Sequence, residues 1–225
     1  VGRETRLLQQ RLIDARFRLD RHVARLARLY RLSTQLLGST DAIEIAPTFA
    51  EGIIDVLDLE VAAVWILGKD GRDIGFASHG LSVACETARA YGKELLCIST
   101  TSTGLALQLD EAALDRIKDW NLGEAIVSVG RASAEGGAAI LLAGNTVTGM
   151  GVYETVTEDV LATIASVGEM VAAFLNLNAA RRRIDKSLLT LKESEERLAL
   201  VLSGTNDGWW DWVIPNDSCL YSVRW

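Results

Sequence analysis

A chain of 225 residues has room for one domain of about 150 residues with extensions, or for two small ones. Apolar residues make up 49 % and charged residues 24 %, which fits a chain that buries a real core and excludes a low-complexity or collagen-like one. The net charge of −7 is unevenly spread: residues 1–38 carry nine arginines against three acids, whereas residues 39–180 carry 20 acids against seven bases. The body would therefore repel phosphate backbones, so no nucleic-acid partner is expected.

Residues 3–37 read as one helix. Leu12, Leu19, Leu26 and Ser33 recur every seven residues, and Leu8, Ala15, His22, Leu29 and Leu36 do so offset by three. That spacing predicts a coiled-coil seam that needs a partner helix, with arginine on the outer face and His22 as a polar layer. Gly38–Asp41 stops this helix and caps a second one, which carries Phe49, Ile53, Ile54 and Leu57 on one face. Pro47 is expected near the start of that second helix, because an interior proline is costly. Val61–Leu67 and Ile74–Gly80 read as a hairpin around the turn cluster GKDGRD.

Residues 82–120 read as short helices around Leu95–Thr100, with Glu111–Trp120 the clearest. Ala125–Ala132 and Ala138–Gly144 predict a second hairpin, turning at Ser133–Gly137. Val156–Leu202 reads as one long helix with acids at its positive end. Its later part repeats in heptads: Phe174, Leu177, Ile184, Leu188, Leu191, Leu198 and Leu202, with Arg181 and Glu195 as charged seam positions. The apolar run Val160–Leu177 is interrupted by Glu169 and Asn176, so a buried helix face is expected and no membrane contact. The element order predicts an α+β fold: a mainly antiparallel sheet with helices on its faces, flanked by long coiled-coil helices.

The stretches QLLGSTDAIEIAPTFAEGIIDVLDLEVAAVWIL, FASHGLS, EAIVSVGRASAEGGAAILLAG and ETVTEDVLATIASVGEMVAAFLNLNAARR, in this order, resemble a GAF domain over residues 30–178. Before the final helix the chain has Tyr153–Asp159 where that family usually has Phe-Thr-Pro-Glu-Asp. The last stretch, SEERLALVLSGTNDGWWDWVIPNDSCLYSVRW, resembles the opening of a PAS domain through Asp207-Gly208-Trp209-Trp210-Asp211-Trp212. It is shorter than a whole PAS domain, so the tryptophans are expected to find their core in residues that follow. The implied domains are a signalling helix (1–38), a GAF-like sensory domain (39–178), a connecting coiled coil (179–203) and the start of a PAS domain (204–225).

This series resembles bacterial sensor proteins. There such modules stack as parallel homodimers ahead of a diguanylate cyclase, a cyclic-di-GMP phosphodiesterase or a histidine kinase. The resemblance implies a dimer seam of Leu12, Leu19, Leu26, Leu29, Leu36, Phe174, Leu177, Ile184, Leu188 and Leu191. It also implies a small-molecule pocket walled by Trp65, Phe76, Ser78, Leu96, Ile98, Thr100, Val127 and Leu141, unless these residues simply fill the core.

No ligand or cofactor is assigned by the sequence. Bilin-binding members use a cysteine commonly followed by histidine; here Cys85 precedes Glu86 and Cys97 precedes Ile98. The Asn-Lys-Phe-Asp-Glu set of cyclic-nucleotide binders is not found. His79 stands alone as a metal candidate within the domain. Methionine-sulfoxide reduction through Cys85 and Cys97 belongs to compact enzymes without flanking coils. No phosphate-binding loop or nucleophile elbow occurs, so this chain is not expected to be an enzyme. The triplet Arg181-Arg182-Arg183 reads as a solvated helix face. Three widely spaced cysteines and a charged opening suit a reducing, cytoplasmic setting.

Overall fold

The computed structural model describes residues 2–38, 42–92, 94–95, 106–132, 137–204 and 208–222. The chain divides into two units, Val1–Ala179 and Ala180–Trp225. The first begins with α1 (Gly2–Gly38) and α2 (Ala42–Leu57), followed by β1 (Val61–Leu67), β2 (Asp73–His79) and α3 (Cys85–Ala90). Then come β3 (Ala106–Gln108), α4 (Glu111–Arg116), a 3-10 turn (Lys118–Trp120), β4 (Leu122–Arg131), β5 (Ala138–Thr146) and α5 (Glu158–Gly204). From Ala180 onward α5 belongs to the second unit.

Pro47 lies inside α2, not at its start. It sits barely more than one turn in, so it forfeits a single amide bond to the carbonyl four residues back. Its exposed ring leaves Ile45, Phe49 and Ile53 free to face the core. Asp58 ends the helix in a left-handed conformation (φ 58°) that a short polar side chain tolerates. Its amide donates to the carbonyl of Ile54 at 2.8 Å. At α4, Asp110 caps the helix by accepting from the Ala113 amide at 2.9 Å.

The five strands form one antiparallel sheet in the order β2-β1-β5-β4-β3. β1 has the bounds expected from its apolar run, and β4 and β5 extend the expected second hairpin. The edge strand β3 lies in the region expected to be helical. It pairs Ala106–Gln108 with Ile126–Ser128 and is too short to leave a periodic signal. The turn at residues 133–136 lies outside the described residues.

Side chains alternate across the sheet, so each strand feeds two cores. Ala62, Val64, Ile66, Ile126, Leu141 and Ala143 face α1, α2 and α5 in one cluster. Val61, Ala63, Trp65, Val127, Ile140 and Leu142 face α3, α4 and the 3-10 turn in the other. α5 covers the first cluster with Val160, Ile164, Val167, Val171 and Phe174, all buried. That helix is long and apolar enough by composition to cross a membrane, yet these residues rest on the sheet. It approaches β4 through two glycines: a Cβ on Gly130 would lie 2.1 Å from the Gly168 carbonyl oxygen.

In the second unit, β6 (Trp210–Val213) and β7 (Ser218–Tyr221) form an antiparallel hairpin around a 3-10 turn, Ile214–Asn216. Asp217 closes the turn with φ 51° and accepts a hydrogen bond from Trp212 Nε1 at 3.1 Å. Strand, turn and strand follow the order expected from the sequence. Trp209, Trp210 and Trp212 are all exposed. In this hairpin the Cys219 thiol, by hydrogen bonding, pushes the Tyr221 hydroxyl above its ordinary pKa.

Candidate functional site

The first candidate is the sheet face beneath α3 and α4. Trp65 is completely buried at its centre. Its indole stacks on Trp120 (centroids 6.3 Å, interplanar 17°) and tilts against Phe76 at 5.1 Å. Tyr91 meets Trp120 edge-on at 5.5 Å. The Trp65 Nε1–H donates to the Ala88 carbonyl at 3.1 Å, so the buried polar atom is satisfied. Gly92 closes over the ring: a Cβ there would lie 2.5 Å from Trp65 Cδ1.

Of the pocket residues expected from the sequence, Trp65, Phe76 and Val127 come together here. Ser78 shares the face, opposite Ala63, but is exposed at the end of β2. Leu141 does not belong to it. It is one residue out of phase with Ile140 and Leu142, so it points into the helix-covered cluster. Leu96, Ile98 and Thr100, with Cys97, lie outside the described residues. Trp120, Tyr91, Ala88 and Gly92 complete the cluster and were not anticipated. They stand far from Trp65 in sequence, and only Trp120 carried a signal, as the apolar end of the Glu111–Trp120 run. Cys85 and His79 are both exposed and do not belong to this cluster.

The second candidate is a polar belt at the other end of the sheet. Asn145 is fully buried; its Oδ1 accepts from the Glu60 amide at 3.0 Å. Its Nδ2 donates to Glu124 Oε1 at 2.7 Å and to the Glu154 carbonyl at 2.8 Å. Glu60 Oε2 accepts from the Thr146 amide (2.9 Å) and hydroxyl (2.6 Å). Glu124 Oε2 accepts from the Val156 amide at 3.2 Å. β1, β4, β5 and the approach to α5 are thus tied by one asparagine and two carboxylates. Asn145→Ala would strand three part-buried partners, so a loss of about 2–3 kcal/mol is expected in urea denaturation. A loss below about 0.5 kcal/mol would contradict this role.

From that belt Glu154 reaches α1. Arg21 Nη1 donates to both its carboxylate oxygens at 2.9 and 3.0 Å, and Arg25 lies 3.8 Å away. Between α1 and the start of α5 runs a groove of about 680 Å³, lined by Arg18, Arg21, His22 and Arg25 on one side and Glu154 and Asp159 on the other.

The long helices carry exposed apolar stripes. On α1, Leu12, Leu19 and Leu26 are 59–73 % exposed. Leu29 instead packs half-buried on its own protomer, and Leu36 is buried in its core. The exposed stripe is therefore rotated from the expected series: Val23 and Tyr30 are exposed and join Leu19 and Leu26 in steps of four and three residues. On α5, Phe174 is buried in the same core, whereas Leu177, Ile184, Leu188 and Leu191 are exposed. Leu177 is thus the first exposed position of the expected series, although Asn178 beside it is still buried.

No family model and no curated protein matches the chain. Solved structures do. The chain is 16 % identical to the GAF domain of a candidate sensor histidine kinase from Pseudomonas syringae pv. tomato, covering 78 % of this chain and 98 % of that one (TM-score 0.49). It is 12 % identical to the phycoerythrobilin-bound GAF domain of a cyanobacterial phytochrome, covering 70 % and 97 % (TM-score 0.49). It is 8 % identical to a bacteriophytochrome from the photosynthetic bacterium R. palustris, covering 77 % of this chain and 41 % of that protein (TM-score 0.54). The likeness concerns the fold alone. The five-stranded antiparallel sheet with helices on its faces is the α+β, GAF-like arrangement expected from the sequence.

Proposed function

We propose that the chain is a sensory and dimerisation module of a bacterial, cytoplasmic signal-transduction protein, without catalytic activity of its own. Two copies join in parallel through the stripes of α1 and α5. A ligand or conformational signal in the GAF-like body biases the packing of these helices and passes to a PAS domain and an output domain, a diguanylate cyclase or phosphodiesterase. A ligand moves such an equilibrium only by its difference in affinity between two states. Paired helices have few allowed packings, so a small bias is read as a discrete change.

The observation that carries this reading is the leucine stripe Leu177, Ile184, Leu188 and Leu191, exposed on the same helix whose earlier residues form the core. Heptad leucines left in water gain about 1.5–3 kcal/mol each on burial. Free thiols at Cys85 and Cys219 suit the reducing compartment. Sedimentation equilibrium is expected to give a dimer, and Ile184→Glu with Leu188→Glu to weaken it by roughly a hundredfold or more. A monomer at about 100 μM would end the proposal, since a Kd above that range is too weak to signal through.

A second reading is a ligand-free GAF-like spacer with the same dimeric role. The fully buried, hydrogen-bonded Trp65 beneath Gly92 favours it, because the described part of the pocket is filled. Native mass spectrometry of protein purified from cells separates the two: a co-purified small molecule supports the sensor, and the bare chain mass supports the spacer.

A further inference from the structure

We propose that the groove between α1 and the start of α5 binds a small phosphate-bearing molecule. The side chain of Arg25 is only 10 % exposed, yet among the described residues its guanidinium has one partner, Glu154 at 3.8 Å, beyond hydrogen-bond reach. That carboxylate is already held by Arg21 through two bonds. One acid therefore serves two guanidinia, and a nearly buried cation with five donors is left without hydrogen bonds. Such a group is costly unless an anion completes it.

The groove supplies the place. Its volume of about 680 Å³ falls within the range of small-ligand sites. Arg18 and His22 line the same wall as Arg25. Across the groove lies the first turn of the 47-residue α5, whose positive end favours an anion. Planar guanidinium forks match the oxygens of phosphate. Asp159 opposes the charge and limits affinity. A molecule bound here would bridge α1 to the entry of α5, the two helices that carry the dimer stripes.

The test titrates inorganic pyrophosphate into the full chain at fixed ionic strength, followed by calorimetry. Saturable binding of one pyrophosphate per chain is expected. Arg25→Gln weakens it by about tenfold, and the exposed Arg18→Gln, which leaves the fold intact, by about threefold. Asp159→Asn tightens binding by removing a like charge, and Lys118→Gln, distant from the groove, leaves it unchanged. Non-saturable heats, or equal weakening by Lys118→Gln, overturn the proposal. So does binding that fades as protein concentration rises, because a second copy would then be the groove's occupant.

Discussion

Gly130→Val is expected to destabilise the first unit by more than about 3 kcal/mol, and Gly130→Ala by about 2–3 kcal/mol. The reason is that no side chain separates β4 from α5 at this point. A Cβ on Gly130 would stand 2.1 Å from the Gly168 carbonyl oxygen and 2.9 Å from its carbon. Both are backbone atoms of a helix, so neither can rotate away. From the other side, a Cβ on Gly168 would meet Ser128 Oγ at 2.5 Å. A side chain on Gly130 therefore lifts the helix from the sheet and separates Ile164, Val167 and Val171 from the core they complete, whereas one on Gly168 meets only a hydroxyl that can rotate. Chemical denaturation checks the effect. Gly38→Ala, with nothing within 4 Å of its Cβ, serves as the comparison and should be neutral or slightly stabilising. A Gly130→Ala chain within about 0.5 kcal/mol of the parent would mean that α5 does not rest on β4 in this way.

Trp65→Ala should cost about 3–5 kcal/mol, the range for deleting a large aromatic side chain from a core. Three contributions add here. The stack on Trp120 and the tilted contact with Phe76 are lost, the Ala88 carbonyl loses its donor, and a cavity opens beneath Gly92. Trp65→Phe keeps most of the apolar area and should cost less than half as much. An apolar cavity of this kind holds small aromatic guests, so indole should raise the melting temperature of Trp65→Ala and leave the parent unmoved. If Trp65→Ala were as stable as the parent, the aromatic cluster would not be a packed core. Indole stabilising the parent would instead reveal an open ligand pocket and favour the sensor reading over the spacer.

Local pattern carried much of this fold, and long-range geometry carried what it missed. β1 was readable to the residue because seven apolar positions are bracketed by turn formers. The hairpins and the long final helix followed from glycine clusters and heptads. β3 was hidden because three residues of an edge strand have no period. Leu141 faces the helix-covered cluster and not the expected pocket: a strand buried on both sides lacks the alternation that marks phase, and only its register opposite Val64 and Ser128 fixes it. The heptads of α1 revealed a sticky stripe but not which edge of it meets the chain's own body. Arg25 looked like a solvated outer residue and is nearly buried, whereas Val23 and Tyr30 face outward. In the belt of Glu60, Asn145, Glu124 and Glu154 the single hydrogen bond from Glu60 to Asn145 spans 85 positions, beyond the reach of any local rule.

Parallel pairing of two copies along α5 would bring each stripe residue against its own counterpart, which a single cysteine can report. In a chain with Cys85, Cys97 and Cys219 changed to serine, Leu191→Cys should meet its own counterpart at disulfide distance. Mild oxidation is then expected to give a covalent species of twice the chain's 24.4 kDa, and Glu193→Cys, off the stripe, almost none. Equal cross-linking at both positions, or a 24.4 kDa chain that stays single at Leu191→Cys, would rule out parallel pairing along α5.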